Sequence, residues 1–166
     1  MDNSWKTAIA RIKPSRPVQW VEKRWQTLNN DEDTLFDHVR EGGLRILDYG
    51  CGRGFDAFYM NADRYDPHWF PLEPAGPYNI IFCTYVLNVV ERSEREKILD
   101  RIDGLLGEGG VSYVTVRRDV DFFNPVVHDG YCQWYVFDGD MKKAGYHSVH
   151  KTREFEIYVT GGYGDY

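Results

Sequence analysis

A chain of 166 residues and 19.4 kDa with 42% hydrophobic side chains can bury one sizeable core but hardly two, so a single domain is expected. Its net charge of −6 argues against a surface coated in positive field that binds polyanions indiscriminately. Cys51, Cys83 and Cys132 show neither CxxC nor clustered Cys/His spacing, which gives no disulfide framework or structural zinc site and fits a reducing compartment. No apolar run approaches the ~20 residues of a membrane helix, and the first residues lack the apolar centre of a signal peptide. A cytoplasmic protein with no membrane partner is expected.

Residues 1–24 hold Lys6, Arg11, Lys13, Arg16, Lys23 and Arg24 against Asp2 and Glu22, a basic arm of +4 on a remainder of −10. Such an arm either contacts an anion or is a solvated surface segment. From Val18 to Val39 the apolar residues fall near helical spacing, broken around Asn29 to Asp33, which predicts two short helices, the second ended by Gly42 and Gly43. Leu44 to Tyr49 reads as a buried parallel strand, and the glycine loop Gly50 to Gly54 leads into a brief helix, Phe55 to Met60. A strand at Ala62 to Asp66, a Pro-rich stretch and a buried strand at Tyr78 to Tyr85 follow. Ser93 to Leu106 reads as an amphipathic helix with Ser93 and Glu96 in capping-box spacing and Gly107, Gly109 and Gly110 ending it, before a strand at Val111 to Val116. Tyr131 to Phe137 (strand), Asp138 to Gly145 (helix), and Tyr146 to His150 and Phe155 to Thr160 (strands pairing antiparallel at one edge) complete the pattern. Alternation of strand and helix predicts an α/β domain with a mostly parallel sheet over residues 25–160, preceded by the arm at 1–24 and followed by a frayed tail at 161–166.

Directly after the first strand stands Asp48-Tyr49-Gly50-Cys51-Gly52-Arg53-Gly54, a glycine-rich strand-to-helix turn that lets backbone approach a ligand closely. The nicotinamide fingerprint needs a third glycine where Phe55 stands, and a phosphate-binding G-x-x-x-x-G-K-[ST] loop is absent. An acidic residue two positions before the first glycine suits a ligand that carries a cation, an ammonium or a sulfonium.

Asp48 to Gly54 resembles motif I of class I S-adenosylmethionine-dependent methyltransferases. More narrowly, Thr7-Ala8-Ile9 with Arg11, Ser15 and Pro17, then ILDYGCGRGFDA, YDPHWFP, FCTYVLNVV and YVTVRRD, resemble small bacterial and phage methyltransferase-like proteins related to those associated with DNA phosphorothioation. The resemblance implies S-adenosylmethionine or S-adenosylhomocysteine as bound partner. Asp48, Gly50, Cys51, Gly52 and Gly54 would then line its methionine and ribose part, Asp66 would accept from the ribose hydroxyls with Asp63 as competitor, and Pro67 and Thr84 would complete the pocket. One of His68, Trp69 and Phe70 would lie near adenine or serve as an ordinary core contact. Eleven residues between Asp66 and Tyr78 are too few for a crossover helix and strand, so the sheet should lack the family's third strand and run 2-1-4-5-7-6.

The acceptor should lie over the carboxyl ends of the later strands. Tyr85 and Asp119 are the catalytic candidates, with His128 a further polar group; Asn88, Arg117 and Arg118 are the substrate-binding candidates, of which only one arginine can face the site because successive side chains alternate across a strand. Cys83-Thr84-Tyr85-Val86 lacks the Pro-Pro-aromatic signature of DNA amino-methyltransferases, and Phe82-Cys83 lacks the proline of a cytosine-methylating nucleophile. The expectation is a methyltransferase of undefined acceptor, with nucleic acid or a nucleotide ranked first on the basic arm and the related group, a small-molecule acceptor next, and a non-catalytic cofactor-binding protein as the reading from another class.

Overall fold

The computed structural model describes residues 13–30, 32–128 and 131–161. Helix α1 (Arg16–Asn29) begins with Pro17 in its first turn, where a missing N–H costs nothing, and ends at Asn30, whose backbone N–H turns back to the Gln26 carbonyl. Val18 and Val21 bury its inner face. The expected boundary at residue 24 therefore falls inside a packed helix, while residues 1–12 of the arm lie outside the described residues. Helix α2 (Leu35–Arg40) is started by a capping box in which Thr34 and Asp37 satisfy each other's backbone N–H groups, and it buries Leu35 and Phe36.

The two helices are joined by Glu22, which accepts a hydrogen bond from Leu35 N at 3.1 Å and whose other oxygen is buried without a partner. Burial pushes the carboxyl up from 4.5 to about 7. The folded state thus holds a proton there that the unfolded chain releases near pH 4.5, so this stabilisation is complete below that value and is lost as pH rises through 7. Urea denaturation of Glu22→Gln should match the parent at pH 4 and exceed it by about 1 kcal/mol at pH 8, a figure reduced for the group's partial solvation. A difference that does not change with pH would sink this account.

Next come β1 (Ile46–Tyr49), α3 (Phe55–Met60), β2 (Asp63–Tyr65), β3 (Tyr78–Thr84), a 3₁₀ turn (Leu87–Val89) and α4 (Arg92–Leu105). The remainder is β4 (Leu106–Arg117), β5 (Val126–His128), β6 (Tyr131–Gln133), α5 (Asp138–Lys143), β7 (His147–Lys151) and β8 (Phe155–Gly161). Six strands form one sheet in the order β2-β1-β3-β4-β8-β7, parallel from β2 to β4, with β8 antiparallel to both β4 and β7. This is the expected order without a third family strand, with β3, β4, β8 and β7 in the places of 4, 5, 7 and 6. Alternation of side chains splits the core in two. Ile46, Ile80, Phe82, Tyr113 and Ile157 pack with α1, α2 and α3, whereas Leu47, Ile81, Cys83, Val114 and Tyr158 pack with Leu99 and Ile102 of α4 and Met141 of α5. Among the described residues no helix is long and apolar enough to cross a membrane.

Three local expectations need correction. Ser93 does not cap α4, which starts after Glu91 with no side-chain cap. The glycines after α4 belong to β4, where Gly110 lets the strand pass Tyr78 so closely that a Cβ would lie 2.8 Å from its carbonyl oxygen. The strand expected at Tyr131 to Phe137 ends at Gln133 and pairs only with β5 in a separate ribbon. Beyond it the backbone is claimed by side chains instead: Asn88 Nδ2 donates to Trp134 O, Arg95 Nη1 to Tyr135 O and Arg118 Nη1 to Val136 O.

Candidate cofactor and acceptor site

Asp48, next to last in β1, is a buried carboxylate behind the glycine loop, 4% exposed. The Gly50 and Cys51 N–H groups both donate to Tyr65 O, at 2.7 and 3.0 Å, which binds the loop to the end of β2. Gly50 has φ +77°, and a Cβ there would fall 2.3 Å from Val86 Cγ2, so this glycine is required by packing. Gly52 differs: at φ +55° it has no atom within 4 Å of where a Cβ would stand, so its face opens outward. Gly54 N donates to Cys51 O and closes the turn into α3.

Asp66 follows β2 at once. One carboxylate oxygen accepts from Gly52 N at 3.0 Å, and the other from His68 N and Trp69 N at 2.9 and 3.0 Å. A carboxylate has about four acceptor positions, so one remains for a ligand hydroxyl unless a loop bond is given up. The competitor Asp63 lies at the opposite end of the strand, where it accepts from Arg45 and the Tyr78 hydroxyl. Pro67 is exposed in the turn that bridges Asp66 to Phe70. Trp69 lies beneath the Arg53 guanidinium at 4.4 Å, and Phe70 beneath that of Arg64 at 4.2 Å. The Cys51 thiol is pushed up to about 12, chiefly by burial and then by the Asp48 and Asp66 charges, and burial raises that of Cys83 further. Neither sulfur is a nucleophile at neutral pH.

The acceptor-side candidates divide sharply. Thr84 ends β3 with its Oγ1 buried and without a hydrogen-bond partner in the chain. Tyr85 follows at φ +62°, a conformation uncommon for a side chain of this size, and lines a cavity of about 250 Å³ with Ser15, Arg16, Arg117 and Glu154. Burial raises the phenol above its ordinary value, against the opposing charges of Arg117 and Arg16, so Tyr85 keeps its proton at neutral pH. Arg117 stands 5.7 Å over the Tyr85 ring and donates twice to Asp119, at 2.9 and 2.6 Å. Asp119, expected as a catalytic group, is thereby occupied in holding Arg117.

Arg118 and Asn88, both expected to bind substrate, are spent inside the fold. Arg118 points to the opposite face and donates to Glu156, Val136 O and the Tyr158 hydroxyl. Asn88 is fully buried; its amide donates to Arg117 O and Trp134 O and accepts from Arg117 N. The side chain of His128 lies outside the described residues. Ser15 and Asp56, which entered only through the resemblance and were given no role, join the site: Ser15 N donates to Asp56 Oδ1 at 2.8 Å, which brings the start of α1 over α3, and Ser15 Oγ is buried without a partner. The sequence signals for Asp56 are its place in the ILDYGCGRGFDA stretch and an acidic residue in the first turn after the glycine loop.

No protein-family model matches the chain, and no curated protein matches it in sequence. Solved structures do match its fold. A Burkholderia thailandensis 1,6-didemethyltoxoflavin-N1-methyltransferase, crystallised with that compound and S-adenosylhomocysteine, aligns with a TM-score of 0.54 at 14% identity over 92% of each chain. TehB from Haemophilus influenzae aligns at 0.51 and 16% identity, covering 86% of this chain and 67% of that one. An S-adenosylmethionine-dependent methyltransferase from Mesorhizobium loti aligns at 0.50 and 12% identity, covering 70% and 89%. The chain therefore has the Rossmann-like fold of class I S-adenosylmethionine-dependent methyltransferases, in a single domain with antiparallel strands at one edge.

Proposed function

We propose that this protein is an S-adenosylmethionine-dependent methyltransferase acting on a small acceptor. One observation carries the reading: past the carboxyl end of β1 Gly52 is open outward, the buried Thr84 Oγ1 at the end of β3 has no partner, and Ser15, whose buried Oγ is also without one, lines the cavity with Tyr85. A nucleoside with a charged amino-acid tail fits such a set, because it supplies a flat face for the open loop and polar groups for the hydroxyls. When bound, the cofactor supplies an electrophilic methyl group on a sulfonium.

The chain's own residues then bind and orient. Asp48 places a carboxylate behind the loop, where a cationic ligand would be favoured, and Asp66 offers its remaining acceptor position to a ribose hydroxyl. Protonated Tyr85 orients an acceptor by hydrogen bonding and is unsuited to removing a proton, so a nucleophile that needs alignment more than a base is favoured. A small acceptor is preferred to nucleic acid because the cavity is only about 250 Å³ and part of the basic arm is committed elsewhere: Arg16 pairs with Glu154, and Arg24 lies over Trp20.

Calorimetric titration with S-adenosylmethionine and S-adenosylhomocysteine tests the reading. Both should bind, Asp66→Ala should weaken each at least tenfold, and Tyr85→Phe should leave binding intact while lowering turnover by about 10- to 100-fold. Absence of binding by either compound would overturn the proposal; turnover untouched by Tyr85→Phe would remove Tyr85 from the reaction centre.

A further inference from the structure

A second cavity, of about 340 Å³, lies between α4 and α5 on the face of the sheet opposite α1. Arg95 lines it, 5% exposed, with Nε donating to Leu87 O at 2.8 Å and Nη1 to Tyr135 O at 3.1 Å. Two carbonyls hold this guanidinium in place without neutralising it, and among the described residues no carboxylate forms an ion pair with it. The Asp140 charge acts on Arg95 without pairing with it and offsets the cost of its burial only in part, so an anionic group entering the cavity would relieve the remainder. In the lining of the same cavity Asp140 shows the complementary deficit. Its Oδ1 accepts from Arg92 at 2.7 Å, whereas its Oδ2 is buried without a partner and calls for a donor.

The charged lining is balanced, with Arg92, Arg95 and Lys143 against Glu96, Asp100 and Asp140. That balance disfavours a polyphosphate, which needs an excess of cations, and favours a ligand of no net charge that carries both signs. The rest of the wall is apolar, and the volume accommodates a large side chain.

We propose that this cavity binds a free α-amino acid with an apolar side chain: Arg95 takes the carboxylate, Asp140 takes the ammonium, and Leu99, Met141 and Ala144 border the side chain. The site is separate from the acceptor cavity, yet Leu87 stands two residues beyond Tyr85, so an occupant adjoins the segment that carries the phenol.

Calorimetry on the full chain with L-leucine, L-methionine and L-phenylalanine, each to about 10 mM, is the test. At least one should bind, and N-acetyl-leucine and leucinamide, each lacking one charge, should bind at least tenfold more weakly than leucine. Ala144→Phe fills the cavity and should abolish binding with the thermal melt unchanged, while Asp140→Asn should weaken it at least tenfold. No binding by any of the three amino acids, equal binding of the blocked compounds, or binding that survives Ala144→Phe would each overturn the proposal. Tighter binding of inorganic phosphate would overturn the zwitterion assignment. The comparison of free and blocked amino acids needs no variant, so it decides the matter even where a substitution fails to fold.

Discussion

Replacing Glu156 by alanine should cost about 3–5 kcal/mol of stability, because it strands the Arg118 guanidinium in the core. The Arg118 and Glu156 side chains are 5% and 4% exposed and meet at 2.6 Å. The network continues through the Tyr158 hydroxyl, which accepts from Arg118 Nη2 at 2.8 Å and donates to Asp138 Oδ1 at 2.9 Å. It joins β4, β8 and the start of α5 across the α4 and α5 face of the sheet. Removing both charges, as in Arg118→Met with Glu156→Leu, should restore much of the loss, since an apolar pair of similar volume leaves no uncompensated charge. Urea denaturation of the single and double variants provides the measurement. A loss below about 1 kcal/mol for Glu156→Ala would show that water reaches the pair and that Arg118 is not a core residue.

The second large effect separates two glycines of one loop. In Gly52→Val the side chain enters the open face, so S-adenosylhomocysteine affinity should fall by at least 100-fold in calorimetry. The fold should survive, because the strain of a left-handed residue is about 1–2 kcal/mol and no neighbour is struck. Gly50→Ala should behave in the opposite way. Its methyl group would drive into Val86, so the variant should lose several kcal/mol of stability, and Val86→Ala should recover part of it. Wild-type affinity in Gly52→Val would mean that this face of the loop touches no cofactor, whatever the fold.

The elements whose signals are local were legible in the chain itself. Short apolar runs marked β1 and β3, the spacing from Asp66 to Tyr78 left no room for another strand and crossover, and the glycine run marked the turn from β1 into α3. Period-two alternation required Arg117 and Arg118 to part, but only the packed sheet decided that Arg117 stands over Tyr85 while Arg118 is buried with Glu156, 38 residues away. Asn88 looked like a substrate ligand because its partners, Arg117 and Trp134, are 29 and 46 residues distant, and no spacing rule reaches that far. The same holds for the contact of Ser15 with Asp56, 41 residues apart. What the amino-acid sequence determined by itself was the position of the buried strands and the glycine turn and the lack of room for a further crossover, because hydrophobic period and turn chemistry act over a few neighbours, whereas the strand order came from the family resemblance. Which polar side chains remain free to meet a ligand was decided only by the tertiary structure, because burial and hydrogen-bond satisfaction depend on partners that folding brings from distant parts of the chain.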